Sequence, residues 1–320
     1  MQDKQIIKKL LILGFIAIFL ISFYIFFDLK SEYIFNLRLK KMLAIVLVCY
    51  ATGYSTVAFQ TVTNNNILTP SIMGLESVYI FLQTLVIFFI GSHSLKKMST
   101  MAEFFSSLLL MIIFSVIVYV LLFEKLSANV NMVVLCGMIL GGFFSSLSNF
   151  MQVLLDPNEF LILQGKIFAS FNTIGYVYLN ISAVLILIVI IFSLFFMKKL
   201  DVISLGKKTS ISLGLNHSLL VKIIFSLIAV LISISTVLVG PMTFLGIIIV
   251  SITRHFLPTY KHIYKTICAS LIGVILVVSA MLIMEKILAY DTAVSIIINF
   301  VGGIYFIYLV IKENRKNARG

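Results

Sequence analysis

The residues that come closest to a chemical motif are Gly206-Lys207-Lys208-Thr209, whose Gly-Lys pair suggests a phosphate cradle. A P-loop needs another glycine five residues earlier and a strand leading into it, so that backbone N–H groups converge on phosphate. Position 201 is Asp and no strand pattern precedes it, so ATP is not expected to bind here. The four histidines, His93, His217, His255 and His262, fall at or near the ends of apolar runs on different loops, with no HExxH and no clustered Cys/His spacing. Each reads as an interfacial residue. Cys49, Cys136 and Cys268 stand singly inside apolar runs and read as packing residues. No Gly-x-Ser-x-Gly turn is present and no two carboxylates share an apolar stretch. No catalytic, metal or cofactor site is therefore expected, and the chain reads as non-enzymatic. One acid, Glu76, falls within an apolar run. A carboxylate inside a membrane is functional by default, but close to the inner surface it could equally reach water, and both readings stand.

The elements that must hold these residues are dictated by composition. With 61% hydrophobic and 11% charged residues in 320, and a mean hydropathy of +1.15, the chain cannot cover itself with polar surface. It must live in lipid, where only helices or a closed barrel satisfy the backbone. Runs such as 6–27 lack the alternation of barrel strands, so the expected fold is all-α. About ten transmembrane helices are expected, near 6–27, 42–62, 72–91, 101–123, 131–153, 174–197, 219–239, a short one near 243–256, 263–285 and 294–311. They read as a single transmembrane domain over residues 1–320. Lys4, Lys8 and Lys9 precede the first run, no small-residue cleavage signature follows it, and it reads as a retained span.

With the N-terminus inside, all but eight of the 24 Lys and Arg residues lie on the inner side, the eight being Lys30, Arg38, Lys40, Lys41, Lys96, Lys97, Lys166 and Lys286. Seven acids offset those eight, so the net charge of +12 is mostly cytoplasmic, as the positive-inside rule expects. Both termini are then cytoplasmic. The basic residues are scattered over loops, which argues against nucleic acid as a partner.

Interruptions of the spans carry more information than the spans. Residues 61–70, TVTNNNILTP, break the helix at the inner surface, and Gly74 permits close packing as the third span begins. The outer segment 156–172 is too polar for a span and too apolar for water; it reads as a short helix on the outer mouth or as an ordinary interfacial loop. In the fifth span Gly137-x-x-x-Gly141, Gly142, Ser145, Ser146 and Ser148 make one side small, with Asn149 and Gln152 beyond. That side either packs within the chain or lines a passage. Finally, 201–217 is the longest hydrophilic stretch between two apolar runs. Its Leu205-Gly206 and Leu213-Gly214 pairs flank a short segment in which Leu205, Ile211 and Leu213 have helical spacing. It reads as a cytoplasmic elbow on which an external motor pushes.

Four stretches, in order and covering nearly the whole chain, resemble the FecCD family of permeases for iron-siderophore, haem and cobalamin ABC importers. Leu37-Arg38-Leu39-Lys40-Lys41, running on to Gln60 and to Asn64 through Gly74, is similar to the family's LRLPR region. The elbow is similar to LGEExAxxLGV, residues 239–254 to AGxIxFVGLIVPHIxR, and the span holding Gly302-Gly303 to TAxIGxPxFxxLL. Here Val250-Ser251 replaces Pro-His, Lys207-Lys208 replaces the acidic pair of the elbow, and Gly303 or Ile304 replaces a proline. Residues 156–160 and 168–172 resemble the Gram-positive branch serving catecholate-type siderophores. The resemblance implies the type II importer fold, a second permease that is identical or paralogous, two ATP-binding cassette ATPase subunits on the elbows, an extracellular substrate-binding lipoprotein, and a ferric siderophore carried by alternating access. It implies ATPase coupling through Leu205, Gly206, Lys207, Lys208, Ile211, Leu213 and Gly214. Docking of the binding protein falls to Arg38, Lys41 and Lys286, and the pathway to Gln60, Gly141, Ser145, Asn149 and Gln152. The rival from another class is a secondary carrier driven by an ion gradient, which would place ionisable residues at mid-membrane beside broken helices.

Overall fold

A computed structural model of the chain describes residues 2–27, 29, 31–91, 100–125, 130–168, 170–172, 174–288 and 293–317. His93, Asp28, Lys30, Lys96, Lys97, Asp291 and Arg319 lie outside them. Among the described residues the structure is all-helical, in the order α1 (Gln2–Phe26), α2 (Glu32–Thr63), α3 (Leu75–Ile90), α4 (Thr100–Lys125), α5 (Val130–Val153), α6 (Pro157–Ile167), α7 (Tyr176–Ile203), α8 (Lys207–Ser212), α9 (His217–Val239), α10 (Leu245–Phe256), α11 (His262–Lys286) and α12 (Val294–Asn317). Among the described residues seven helices are long and apolar enough to cross a membrane, and Leu75–Ile90, Phe104–Val116 and Leu245–Phe256 are shorter apolar stretches. These are the ten apolar runs of the sequence. The outer segment contains a helix, α6, started by Asp156 accepting from the Asn158 N–H at 2.9 Å with Pro157 in the first turn.

Helix α2 is the axis of the bundle. It packs against α9, α11, α7 and α10, and every residue from 51 to 60 is buried. The outer helices reverse the water-soluble pattern: α1 turns Leu11, Phe15, Ile18 and Phe19 outward, where lipid covers them at no hydrophobic cost. Hydroxyls within the helices bond back onto the preceding turn, as Thr61 does to the Val57 carbonyl and Thr253 to that of Ile249. This satisfies those two hydroxyl donors within the bundle.

Side-chain contacts fix the two ends of the bundle. At one end Lys9 of α1 donates to the Phe256 carbonyl of α10 at 2.8 Å, and His262 of α11 meets both Thr61 of α2 and Asp201 of α7. At the other end Tyr24 of α1 and Lys41 of α2 both donate to Glu285 of α11. Consecutive spans therefore run in alternate directions, as a chain crossing back and forth must.

The third span begins deeper than the sequence suggests. Helix α2 ends where expected, with Asn64 in the left-handed region and the Asn65 N–H reaching back to the Gln60 carbonyl. The chain then climbs through residues 65–69 and a 3-10 turn at Pro70–Met73 before α3 starts. A Cβ on Gly74 would stand 2.4 Å from the Gly141 Cα, and Gly141 lies halfway along the 24 residues of α5. Two glycines bring the backbones together at mid-bundle, so α3, with 16 residues, spans only about 24 Å. Helix α10, with 12 residues, is shorter still at about 18 Å. Glu76 in the first turn of α3 accepts from the Thr243 hydroxyl just before α10. It is buried, and the expectation that it reaches water at the inner surface is corrected by the depth at which its helix starts.

Candidate functional site: an elbow, a polar cavity and a polar helix face

The elbow joins α7 to α9 through two turns that glycine makes possible. Gly206 has φ +97° and Gly214 φ +81°, conformations that strain any residue with a Cβ. Between them α8 closes with the Leu215 N–H bonded to the Ser210 carbonyl and the Gly214 N–H to that of Ile211, the paired bonds of a glycine helix stop. Leu205, Ile211 and Leu213 are 60%, 53% and 60% exposed. Lys207 and Lys208 are exposed beside them. Three large apolar side chains, one on the six-residue helix and two flanking it, are left exposed.

Two histidines hold the elbow in place, and sequence reasoning passed over both. His217 Nδ1 hydrogen-bonds the buried Ser210 hydroxyl at 2.9 Å, tying α8 to the first turn of α9. His262 donates from its backbone N–H and from Nδ1 to Asp201 Oδ1, at 2.7 Å and 2.5 Å, while its Nε2 meets Thr61 Oγ1 at 2.8 Å. The last turn of α7 is thereby linked to the start of α11 and the end of α2. The only sequence signal was that a buried imidazole can bond two elements at once, which spacing along the chain does not reveal.

Beside that link is a polar cavity of about 270 Å³ lined by Gln60, Thr61, Asn64, Thr253, Arg254 and Lys265, among others. Arg254 donates to Gln60 Oε1 at 2.6 Å, and the buried Gln60 Nε2 has no hydrogen-bond partner. An orphan donor this deep costs about 1–3 kcal/mol, which a polar solute or water in the cavity would relieve.

The fifth-span motif divides by helix face. Gly137, Gly141, Ser148 and Gln152 share one face and turn toward the 3-10 turn and α3: Gly137 and Gly141 lie against Met73 and Gly74, Ser148 bonds Thr84 at 2.8 Å, and Gln152 reaches both hydroxyls. Gly141 is thus engaged in packing within the chain, one of the two readings of this face. On the adjacent face Gly142, Ser146 and Asn149 are exposed and Ser145 is half-buried. A small, polar stripe of this kind is poorly matched to lipid.

At the far end the expected docking cations are engaged within the chain. Lys41 is buried and forms an ion pair of 3.3 Å with Glu285. Arg38 Nη1 donates to the Tyr24, Ile25 and Phe27 carbonyls at 3.0, 3.1 and 2.5 Å, closing the end of α1. Lys286 lies 4.8 Å from the Phe27 ring centre and is exposed. The Lys41 ammonium faces a carboxylate that is itself buried.

The FecCD transport family model matches residues 9–312. The chain belongs to the FecCD transport family. Its relatives include the petrobactin import system permease protein YclO of Bacillus subtilis (strain 168), 44% identical across 96% of this chain and 98% of that protein. The petrobactin import system permease protein FatC of Bacillus anthracis is 36% identical across 86% of this chain and 78% of its own length. A solved inward-facing conformation of a metal-chelate type ABC transporter superposes with a TM-score of 0.83 over 96% of this chain and 99% of its own, at 23% identity, a likeness of fold. As a FecCD member the chain is a multi-pass membrane permease.

Proposed function

We propose that this chain is the non-catalytic transmembrane subunit of an ATP-driven importer for a ferric siderophore of the petrobactin type, working by alternating access. The observation that carries the reading is the 44% identity to a petrobactin import permease maintained over 96% of the chain. An ATP-binding cassette subunit covers the elbow by taking Leu205, Ile211 and Leu213 into a cleft, which accounts for three exposed apolar side chains on the hydrophilic end of the bundle. A second permease, identical or paralogous, faces Gly142, Ser145, Ser146 and Asn149 of α5, and the siderophore passes between the two. ATP binding and hydrolysis in the partner shift the balance between inward- and outward-facing states. The elbow and both termini are cytoplasmic, supported by the excess of Lys and Arg on that side. An extracellular binding lipoprotein docks at the end formed by α1, α2 and α11, where Arg38 and Lys286 remain near the surface. No cofactor is required in this chain.

Deleting the gene in its own bacterium is expected to reduce uptake of radiolabelled ferric petrobactin to background, with recovery on complementation. Unchanged uptake removes the substrate assignment. Accumulation of solute by the purified chain alone in vesicles, driven only by a proton or sodium gradient, sinks the ATP-driven reading in favour of a secondary carrier.

A further inference from the structure

Glu76 has no part in the elbow, the polar cavity or the α5 stripe, yet it is only 7% exposed and stands in the first turn of a helix that begins at mid-bundle. Its carboxylate accepts from the Thr243 hydroxyl, and the Ser71 side chain and the Met242 backbone turn to it as well. Among the described residues no cation pairs with it. A buried carboxylate answered only by neutral donors gains a bundle little that a well-packed apolar residue would not. Folding alone does not explain it, and an acid at this depth asks for a functional reason.

The donors come from two breaks in the helices. Ser71 belongs to the 3-10 turn that precedes α3. Met242 and Thr243 belong to the loop 240–244, which Gly240 opens at φ +107° after the end of α9 and which leads into α10. Irregular backbone at this depth survives only where protein or a polar cavity covers it, and junctions between elements are where a bundle can bend. The two breaks lead to different ends of the permease. From the loop, α10 runs about 18 Å toward the elbow side, where Lys9 holds its Phe256 carbonyl and Arg254 meets Gln60, beside the link from His262 to Asp201. From the turn, Gly74 lies against Gly141 of α5, the helix whose adjacent face exposes Gly142, Ser146 and Asn149. Helix α10 itself packs on α2, α11 and α12. The Glu76 carboxylate therefore stands between a rod anchored at the elbow end and the helix that bears the exposed stripe.

We propose that Glu76 is a positioning residue for transport, the tie through which a shift of α10 reaches α3 and, across Gly74 and Gly141, the α5 stripe. This tie rests on the importer reading, since it needs a motor at the elbow. To test it, the permease assembled with its ATPase and binding protein in vesicles is assayed for ATP hydrolysis and for uptake of ferric petrobactin. Glu76→Ala is expected to keep hydrolysis and to lower uptake per ATP about tenfold. Glu76→Gln, which leaves an oxygen for the Thr243 hydroxyl, is expected to stay within about threefold of the unsubstituted complex. Thr243→Val keeps the shape of the side chain, leaves Glu76 its other two partners and is expected to act like Glu76→Ala; it decides the matter if Glu76→Ala does not fold. The two changes together should cost no more than either alone, because both cut the same tie. A second readout follows the stripe itself. With Asn149→Cys added, the rate of maleimide labelling above the background of the parent is expected to change on trapping with ATP and vanadate, and in Thr243→Val to stop changing. Uptake per ATP unaltered in Glu76→Ala and Thr243→Val overturns the tie, as does labelling that responds equally with and without Thr243→Val, or in neither. Hydrolysis and uptake falling in equal proportion overturn it too, by showing that Glu76 only holds the fold. An unsubstituted complex that takes up no ferric petrobactin with ATP sinks the importer reading and this tie with it, whereas a working complex whose variants work equally well sinks the tie alone.

Discussion

The single residues that matter most here are those whose side chains are absent or already engaged. Gly141→Leu must drive a branched side chain into a site where even a Cβ would be 2.6 Å from the Gly74 Cα. Backbone lies on both sides, so the helices must part. A loss of about 1–3 kcal/mol or more is expected from overpacking, read as a fall in the thermal midpoint of the purified protein; an unchanged midpoint would show that the two glycines do not touch. Lys41 and Glu285 make the complementary case. Their side chains are 10% and 5% exposed, so removing either one strands the other. Each single Ala variant is expected to cost up to about 3 kcal/mol, lessened for Lys41→Ala because Tyr24 still donates to Glu285. A double-mutant cycle should return a coupling of about 0.5–3 kcal/mol. Near-zero coupling would put Lys41 back on the surface as a docking charge.

At the scale of the element, the elbow is a six-residue helix too short to be stable alone. Its shape is imposed by Gly206, Gly214 and the two histidine links. Gly214→Leu places a side chain at φ +81°, at a cost of roughly 1–2 kcal/mol, spent on an exposed segment rather than on the core. Insertion and folding are therefore expected to survive while uptake is lost, checked by membrane yield beside radiolabelled iron uptake; normal uptake would remove the elbow from the coupling path. Asp201→Ala frees His262 from α7 without touching the apolar face of α8. ATP hydrolysis by the assembled importer is expected to continue while uptake per ATP falls about tenfold or more, in line with couplings of 1–3 kcal/mol. Equal losses in both would show that Asp201 serves assembly instead.

At the scale of the molecule, the decisive surface is the uncovered stripe of α5. Asn149 is exposed on a helix that also packs inward through Gly141 and Ser148, so one helix can serve both the bundle and a neighbour. Asn149→Cys is expected to form a cross-link between two permease chains in membranes under mild oxidation, where the only other cysteines are Cys49, Cys136 and Cys268. Absence of any cross-linked pair, with an Ile188→Cys control on the exposed face of α7 equally silent, would place the stripe away from a second permease.

The sequence by itself determined the membrane class, the ten apolar runs and the position of the elbow. These follow from local properties: hydropathy over about 20 residues, charge bias, and glycine where φ must be positive. The motif order also carried the family. What only the tertiary structure decided were relations between residues far apart in the chain. Glu76 is buried at mid-bundle because Gly74 and Gly141, 67 positions apart, meet there. Lys41 is spent on Glu285, and His262 joins Asp201 to Thr61. The small-residue face of α5 proved to be two faces, since depth and facing direction depend on which helices happen to pack alongside. No periodicity within one helix encodes that.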